Sequence, residues 1–140
     1  MQIIHKGPVT ALASALTLTG SLAASTSECD VSLASYCDLH VDYAQGTGGT
    51  APKLELVVEV QCEGSTTWRQ PTTGSPGTPS GGAVAVELVT VTYELTASGN
   101  VVLPVPCFGA SKLRVKVRET GTPSPYGTVS VRAVPSRVGA

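Results

Sequence analysis

The chain has 140 residues, which suffices for one domain with a buried core and is too short for two independent domains. Charged residues make up only 14% of it and the formal net charge is −1, so the composition disfavours non-specific binding of nucleic acid. No stretch approaches the roughly 18–20 consecutive apolar residues that a membrane-spanning helix needs. We therefore expect neither nucleic acid nor a membrane as a partner.

The N-terminal segment, residues 1–14, is predicted to be an extended arm or an edge strand. An arm can add a strand to an adjacent subunit, because unpaired edge groups supply ready hydrogen bonds. Its apolar residues Ile3, Ile4 and Val9 are then the expected contacts. The run that ends at Leu18 also resembles a secretory signal, although Ser and Thr residues interrupt it. Arm, edge strand and cleaved signal all stay open at this point.

Residues 15–140 alternate apolar and polar side chains over short segments that turn residues separate. A period of two is typical of β-strands, and no segment has a helical period. We predict an all-β domain, a single antiparallel β-sandwich of immunoglobulin-like or jelly-roll-like type. The predicted strands are Ala15–Thr19, Glu28–Val31, Cys37–Tyr43, Lys53–Gln61, Thr66–Gln70, Val84–Ala97 with a bend or break near Glu87, Asn100–Pro104, Lys112–Thr120 and Thr128–Val134.

Three loops rich in turn-forming residues separate some of these strands: Gln45–Pro52, Pro71–Gly82 and Thr120–Gly127. The middle loop is the longest, and its Pro, Gly, Ser and Thr residues have nothing to bury and are not expected to hold a ladder. It is predicted to be either a mobile tip or a segment that a neighbouring subunit orders. Its centre supplies further candidate contacts, namely Ser75, Pro76, Gly77 and Pro79.

Local signals add three structural predictions. Residues 97–100 read Ala-Ser-Gly-Asn and predict a tight hairpin. The segment from Pro104 to Pro106 is expected to end the second strand of that hairpin, because proline cannot donate to a ladder. Trp68 is the only tryptophan, and we expect it to close one end of the sandwich.

The segment from Lys112 to Arg118 alternates basic with aliphatic residues, so its aliphatic residues should face the core. Like charges two residues apart on one face repel and need compensation. Either Glu55 and Glu59 on a paired strand or an acidic surface of a partner could supply it, and internal pairing is the preferred interpretation. The four cations are also candidate contacts: Lys112, Arg114, Lys116 and Arg118.

The sequence predicts no catalytic, cofactor or metal site. Asp38, His40 and Asp42 share one face of a predicted strand, but residues two apart lie roughly 6.5–7 Å apart and cannot all converge on one ion. The four cysteines include no C-x-x-C pair, which disfavours structural zinc. Reduced core thiols are the preferred interpretation, and one disulfide stays open. We therefore expect a protein that is not an enzyme.

Strand and turn segments follow one another in a characteristic order over most of the chain. These are Leu16–Gly20, Cys29–Ser32, Tyr36, Leu39–Tyr43, Leu54–Val60, Ser65–Gln70, Tyr93–Thr96, Lys112–Val117 and Thr128–Val134. This order resembles a class of small β-sandwich proteins in the virions of tailed bacteriophages.

The resemblance implies a structural protein of the virion, with decoration or cementing of the capsid as the first choice. It implies the major capsid protein or other virion subunits as partners, and a homo-oligomer in which a trimer is favoured. A head–tail connector, collar or tail component is one alternative. An exported surface- or sugar-binding β-sandwich module is another, since the N-terminus resembles a signal and the chain contains four cysteines.

Overall fold

Alternating apolar and polar residues form strands through most of the chain. The structure is a computed structural model that describes residues 3–70, 72–76, 86–90, 92–107 and 109–139, and these residues contain no helix. The strands are β1 (Ile3–Lys6), β2 (Thr10–Thr17), β3 (Ala23–Ala24), β4 (Cys29–Asp30), β5 (Tyr36–Ala44), β6 (Lys53–Cys62), β7 (Thr72–Pro76), β8 (Val86–Thr90), β9 (Thr92–Leu95), β10 (Gly99–Pro106), β11 (Ala110–Thr120) and β12 (Thr128–Gly139).

The strands form two sheets and a separate two-stranded ribbon. Sheet I contains β10, β5 and β12 in that order, and both β1 and β2 pair with the other edge of β12. Sheet II contains β9, β6 and β11, and both β3 and β4 pair with the other edge of β11. The ribbon consists of β7 and β8. All these pairs are antiparallel, and the predicted all-β sandwich is confirmed.

The core contains the apolar residues that alternation assigns to the inner face of each strand. In β5, β6, β11 and β12 the residues that alternation places on the inner face are buried, and only Val60 among them is partly exposed. Each fully buried aliphatic side chain contributes roughly 1.5–3 kcal/mol through removal from water. The buried members of this set are Leu39, Val41, Tyr43, Leu54, Leu56, Val58, Leu113, Val115, Val117, Val129, Val131 and Ala133.

The first core strand begins earlier than predicted. A bulge interrupts the alternation of apolar and polar residues by which a strand is recognised in the sequence. β2 starts at Thr10, whereas the sequence predicts a strand from Ala15. The register of β2 against β12 shifts between Val129 and Val131. At this point Ala15 has a φ of 45° and donates its backbone N–H to the Ser130 hydroxyl oxygen at 2.8 Å. The extra residue in β2 is typical of a β-bulge.

Part of the predicted middle loop is a strand. β7 pairs with β8, with Thr72 opposite Thr90 and Pro76 opposite Val86, so the prediction that this segment holds no ladder is wrong. The predicted strand Val84–Ala97 is divided as expected, but not at Glu87, which pairs within β8; the two parts are β8, which pairs with β7, and β9, which pairs with β6. Of the candidate contacts in this loop, Ser75 and Pro76 belong to β7. Gly77 and Pro79 lie outside the described residues.

The predicted hairpin near residue 98 is wrong, because its two strands belong to different sheets. β9 pairs with β6 in sheet II, and β10 pairs with β5 in sheet I. β10 ends at Pro106, so the prediction that the segment from Pro104 to Pro106 ends this strand is confirmed, although Pro104 itself still lies within it. β10 is the last strand in the order of sheet I, and an edge strand tolerates proline because only one of its sides must supply donors.

Candidate interaction surface

The basic residues of β11 are neutralised within the chain. Arg114 lies opposite Glu59, and Arg118 lies opposite Glu55, in the register of β11 and β6. The Arg114 Nε lies 2.8 Å from a carboxylate oxygen of Glu59, and the Lys116 Nζ lies 3.6 Å from the other. Arg118 pairs with Glu55 in the same way. The predicted internal pairing through Glu55 and Glu59 is therefore confirmed.

The last of the four cations finds its partner on the opposite side of β11. The Lys112 Nζ lies 3.4 Å from a Glu28 carboxylate oxygen, and both side chains are about half exposed. Exposed pairs of this kind contribute only about 0–1 kcal/mol. All four cations that the sequence singles out as contacts thus have an acidic neighbour in their own chain.

Trp68 packs over the Arg114 guanidinium, so the prediction that it closes an end of the sandwich is wrong. Its ring centroid lies 4.2 Å from the Arg114 guanidinium carbon. The predicted strand at residues 66–70 is reduced to one bridge, in which Arg69 and Val60 exchange backbone hydrogen bonds of 2.8 Å. This bridge places Trp68 on the outer face of sheet II. Glu59 is 7% exposed in this setting although it points away from the core.

A buried carboxylate holds one end of the sandwich together. Glu119 is fully buried, and its Oε1 accepts the Gly127 N–H at 2.7 Å. Its Oε2 accepts the Gly46 N–H at 2.9 Å and the Tyr43 hydroxyl. Burial, followed by this bond to Glu119, raises the pKa of the Tyr43 hydroxyl, so that Tyr43 stays protonated and donates. The contacts join sheet II to β5 and to two loops, and we call this the loop end.

The predicted loops Gln45–Pro52 and Thr120–Gly127 both lie at this end and are hydrogen-bonded to each other. The Ser124 N–H donates to the Thr47 carbonyl at 2.8 Å, and the Thr47 N–H donates to the Pro125 carbonyl at 3.1 Å. Gly46 has no room for a side chain, since a Cβ there would lie 2.7 Å from both Glu119 Oε1 and Pro123 Cβ. The sequence reasoning missed Glu119, although the alternation through Val117 already predicts that it faces inward.

The opposite end carries the N-terminal strand, which is an edge strand of its own chain. β1 pairs with the end of β12, with Ile4 opposite Val138 and His5 opposite Arg137. The pairing of β12 with β5 stops at Ser136 and Tyr36. Residues 137–139 of β12 therefore have only β1 as a ladder partner among the described residues. We call β1 with residues 136–139 the terminal ribbon.

Exposed apolar side chains concentrate around this ribbon. Ile3, Ile4 and Val9, the contacts predicted from the sequence, are 45%, 65% and 60% exposed. In the register, Ile4, Val138 and Tyr36 lie on one outward face, because directly opposed residues share a face. Leu33, in the turn after β4, is 76% exposed. The sequence reasoning missed Leu33, Tyr36 and Val138, whose clustering depends on the pairing of β1 with β12.

A cavity of about 350 Å³ lies between the terminal ribbon and the turn after β4. The basic side chains of His5, Lys6 and Arg137 line it from the terminal ribbon, and Asp30 lines it from the end of β4. The Ser32 hydroxyl and backbone N–H donate to the Asp30 carboxylate at 2.6 and 2.9 Å, and these bonds lower the pKa of Asp30. The lining residues are His5, Lys6, Gly7, Pro8, Asp30, Ser32, Leu33, Ala34, Pro135, Ser136 and Arg137. We call this cavity, the terminal ribbon, Val9 and Tyr36 together the ribbon end.

The remaining predicted side chains do not form a chemical site in the described residues. Asp38, His40 and Asp42 point away from the core on β5, and no group of three or more His, Cys, Asp or Glu there is arranged to hold a metal ion. The described ranges also contain no helix long and apolar enough to cross a bilayer. The sequence matches no protein-family model and no curated protein.

Proposed function

We propose that this chain is a non-enzymatic structural module of a tailed-phage virion, with capsid decoration or cementing as its first assignment. The observation that carries the proposal is the concentration of exposed apolar side chains at the ribbon end. Six of the nine large apolar side chains that are exposed in the described residues lie there: Ile3, Ile4, Val9, Leu33, Tyr36 and Val138. Three of them, Ile4, Tyr36 and Val138, share one outward face, and an exposed apolar patch often marks a protein contact.

The rest of the molecule supports attachment through this end. The loop end is closed by the buried Glu119 contacts, and the cations of β11 already have acidic neighbours. A rigid sandwich with one apolar end can bury that end against the major capsid protein or another virion subunit. It can equally contact further copies of itself, and a trimer suits the three-fold positions of a shell.

The exported alternative is disfavoured by the packing of β2. Cleavage near Ser25 would remove β1 and β2, and with them Leu12, Ala13 and Leu18, which are at most 3% exposed. The edge of β12 that pairs with β1 and β2 would lose its ladder as well. N-terminal sequencing of the purified protein tests this point, because the exported alternative requires a start close to Ser25.

Attachment can be tested with single substitutions at the ribbon end. We expect Ile4→Asp to leave the fold intact, since Ile4 is 65% exposed, and to reduce attachment at least tenfold. The matched control is Leu22→Asp, which changes an apolar side chain that is 39% exposed and lies just before β3. The assay is co-sedimentation of the purified variants with shells assembled from the major capsid protein of the same virion.

Deletion of Met1 to Val9 provides the stronger form of the same test. It removes β1 and leaves β2 with the rest of the core in place, so we expect a folded module that no longer attaches. Equal occupancy of shells by the deleted and intact chains would refute the assignment of the ribbon end. Binding to portal or tail complexes in place of shells would move the protein to the connector, collar or tail alternative.

A further inference from the structure

The cavity at the ribbon end lies where β12 runs past the end of its pairing with β5. Along the inner face of β12 the alternating residues from Val129 to Pro135 are buried, and the next one, Arg137, is exposed. His5 lies opposite Arg137 in the register of β1 and β12, so their side chains share that face. Two basic residues therefore follow the apolar core along one face of the ribbon, and both line the cavity.

The apolar core borders this cavity. Cys37 lies opposite Pro135, which lines the cavity, and Cys29 belongs to β4, the strand that leads into the opposite wall. With Cys107 they are part of the core and are at most 2% exposed. All four thiols of the chain are free, and Cys62 is exposed, so the prediction of reduced core thiols is correct for three of them. A ligand in the cavity can thus contact both apolar and charged groups.

The bases of the cavity are not neutralised by the part of the chain that the structure describes. The ion pairs there involve other cations, and none includes His5, Lys6 or Arg137. Asp30 is the one acidic residue among the described lining residues, but it lies opposite Lys112 in the register of β4 and β11. The cavity therefore carries uncompensated positive charge, which favours an anionic ligand.

An open strand edge runs beside these charges. β1 is the last strand in the order of sheet I, and among the described residues it pairs only with β12. Its other edge can accept an extended peptide, whose main chain then supplies hydrogen bonds. A peptide strand on this edge places alternate side chains beside His5 on the cavity face and beside Ile4 on the opposite face. The bases match acidic side chains, and Ile4 matches apolar ones.

We propose that the ribbon end binds an extended acidic segment of a partner protein in which acidic and apolar side chains alternate. The segment adds to the open edge of β1, its carboxylates enter the cavity beside His5 and Arg137, and its apolar side chains contact Ile4. The cavity of about 350 Å³ falls within the range of about 300–1,000 Å³ that is typical of ligand pockets. The segment belongs to the virion subunit of the proposed function, on which this inference rests.

Titration of the isotope-labelled full chain with the peptide Ac-Ser-Glu-Val-Glu-Ser-NH₂ tests the site through its amide NMR signals. We expect signal changes confined to β1, residues 136–139 and the turn after β4. The matched peptide Ac-Ser-Gln-Val-Gln-Ser-NH₂ should bind about tenfold more weakly, because it lacks the charge-assisted hydrogen bonds. Arg137→Gln should weaken binding of the acidic peptide about threefold. The control Arg132→Gln, at an exposed position on the other face of the same strand, should leave it unchanged.

Several results would overturn the acidic segment as the ligand. Equal binding of the two peptides would do so, as would signal changes away from the ribbon end or no change at millimolar peptide. Inorganic phosphate that displaces the acidic peptide at equal concentration would show a site for a small anion without a strand. Self-association through β1 in the absence of peptide would show that a second copy of the chain occupies this edge.

Co-sedimentation with shells of the major capsid protein separates failure of the acidic segment from failure of the proposed function. Attachment that Arg137→Gln weakens and Arg132→Gln does not weaken supports both. Shells that hold the intact chain and Arg137→Gln equally would leave the virion function in place and overturn the acidic segment. A chain that binds the acidic peptide but no shell would support the binding site and refute attachment to the capsid.

Discussion

Replacing Glu119 with glutamine tests whether the buried carboxylate holds the loop end together. The side chain keeps its size, but one of its two acceptor oxygens becomes an NH₂ donor. In one orientation this donor faces the Gly127 N–H, and in the other it faces the Gly46 N–H. Either way, at least one buried backbone donor loses its partner.

The magnitude follows from the bonds that are lost. A hydrogen bond to a charged group contributes about 1.5–3 kcal/mol, and an unsatisfied buried donor costs about 1–3 kcal/mol. Removal of the buried charge offsets part of this loss, because the neutral side chain is easier to desolvate. We therefore expect Glu119→Gln to lower the free energy of unfolding by about 2–4 kcal/mol, or the melting temperature by roughly 6–12 °C.

Urea denaturation followed by circular dichroism measures this change, and Glu94→Gln is the matched control. Glu94 is another strand carboxylate, but it forms a half-exposed ion pair of 3.1 Å with Lys53, for which about 0–1 kcal/mol is expected. Tyr43→Phe should cost less than Glu119→Gln and should not add fully to it, because both changes affect the same carboxylate. A loss below about 0.5 kcal/mol for Glu119→Gln, or one equal to the control, would refute the role of Glu119.

Three further outcomes test other parts of the structure. Arg114→Glu should lower the free energy of unfolding by about 1–3 kcal/mol, because it places two carboxylates opposite each other. The control Arg132→Glu, at an exposed position, should change it by less than about 0.5 kcal/mol. Urea titrations that give the two variants equal losses would contradict internal pairing. Ala15→Gly should raise stability by up to about 1 kcal/mol by relieving the positive φ, while Ala13→Gly in the same strand should lower it, and the two melting temperatures measure this contrast. Hydrogen bonds lower the pKa of Asp30 in the folded protein, so its contribution to stability is present above the pKa of the unfolded chain and is lost as the pH falls through the folded-state pKa. Asp30→Asn should therefore make the melting temperature fall less steeply at acidic pH. An unchanged fall would show that Asp30 does not contribute.

The side-chain period determined the strand character of this protein and the face on which most residues lie. Leu113, Val115 and Val117 could be assigned to the core because a strand places every second side chain on the same side. The pairing of Arg114 and Arg118 with Glu59 and Glu55 was predictable for a related reason. Two strands of opposite charge whose period is the same can neutralise each other once they pair.

Only the tertiary structure decided which strands pair and in which register. β9 and β10 are adjacent in the chain but lie in different sheets, and local turn residues do not distinguish this from a hairpin. Tyr43 and Glu119, whose side chains meet at the loop end, are 76 positions apart in the chain. The exposed ribbon end likewise depends on β1 pairing with the end of β12. These contacts form because burial of both inner faces selects one long-range register, and a local pattern does not contain that information.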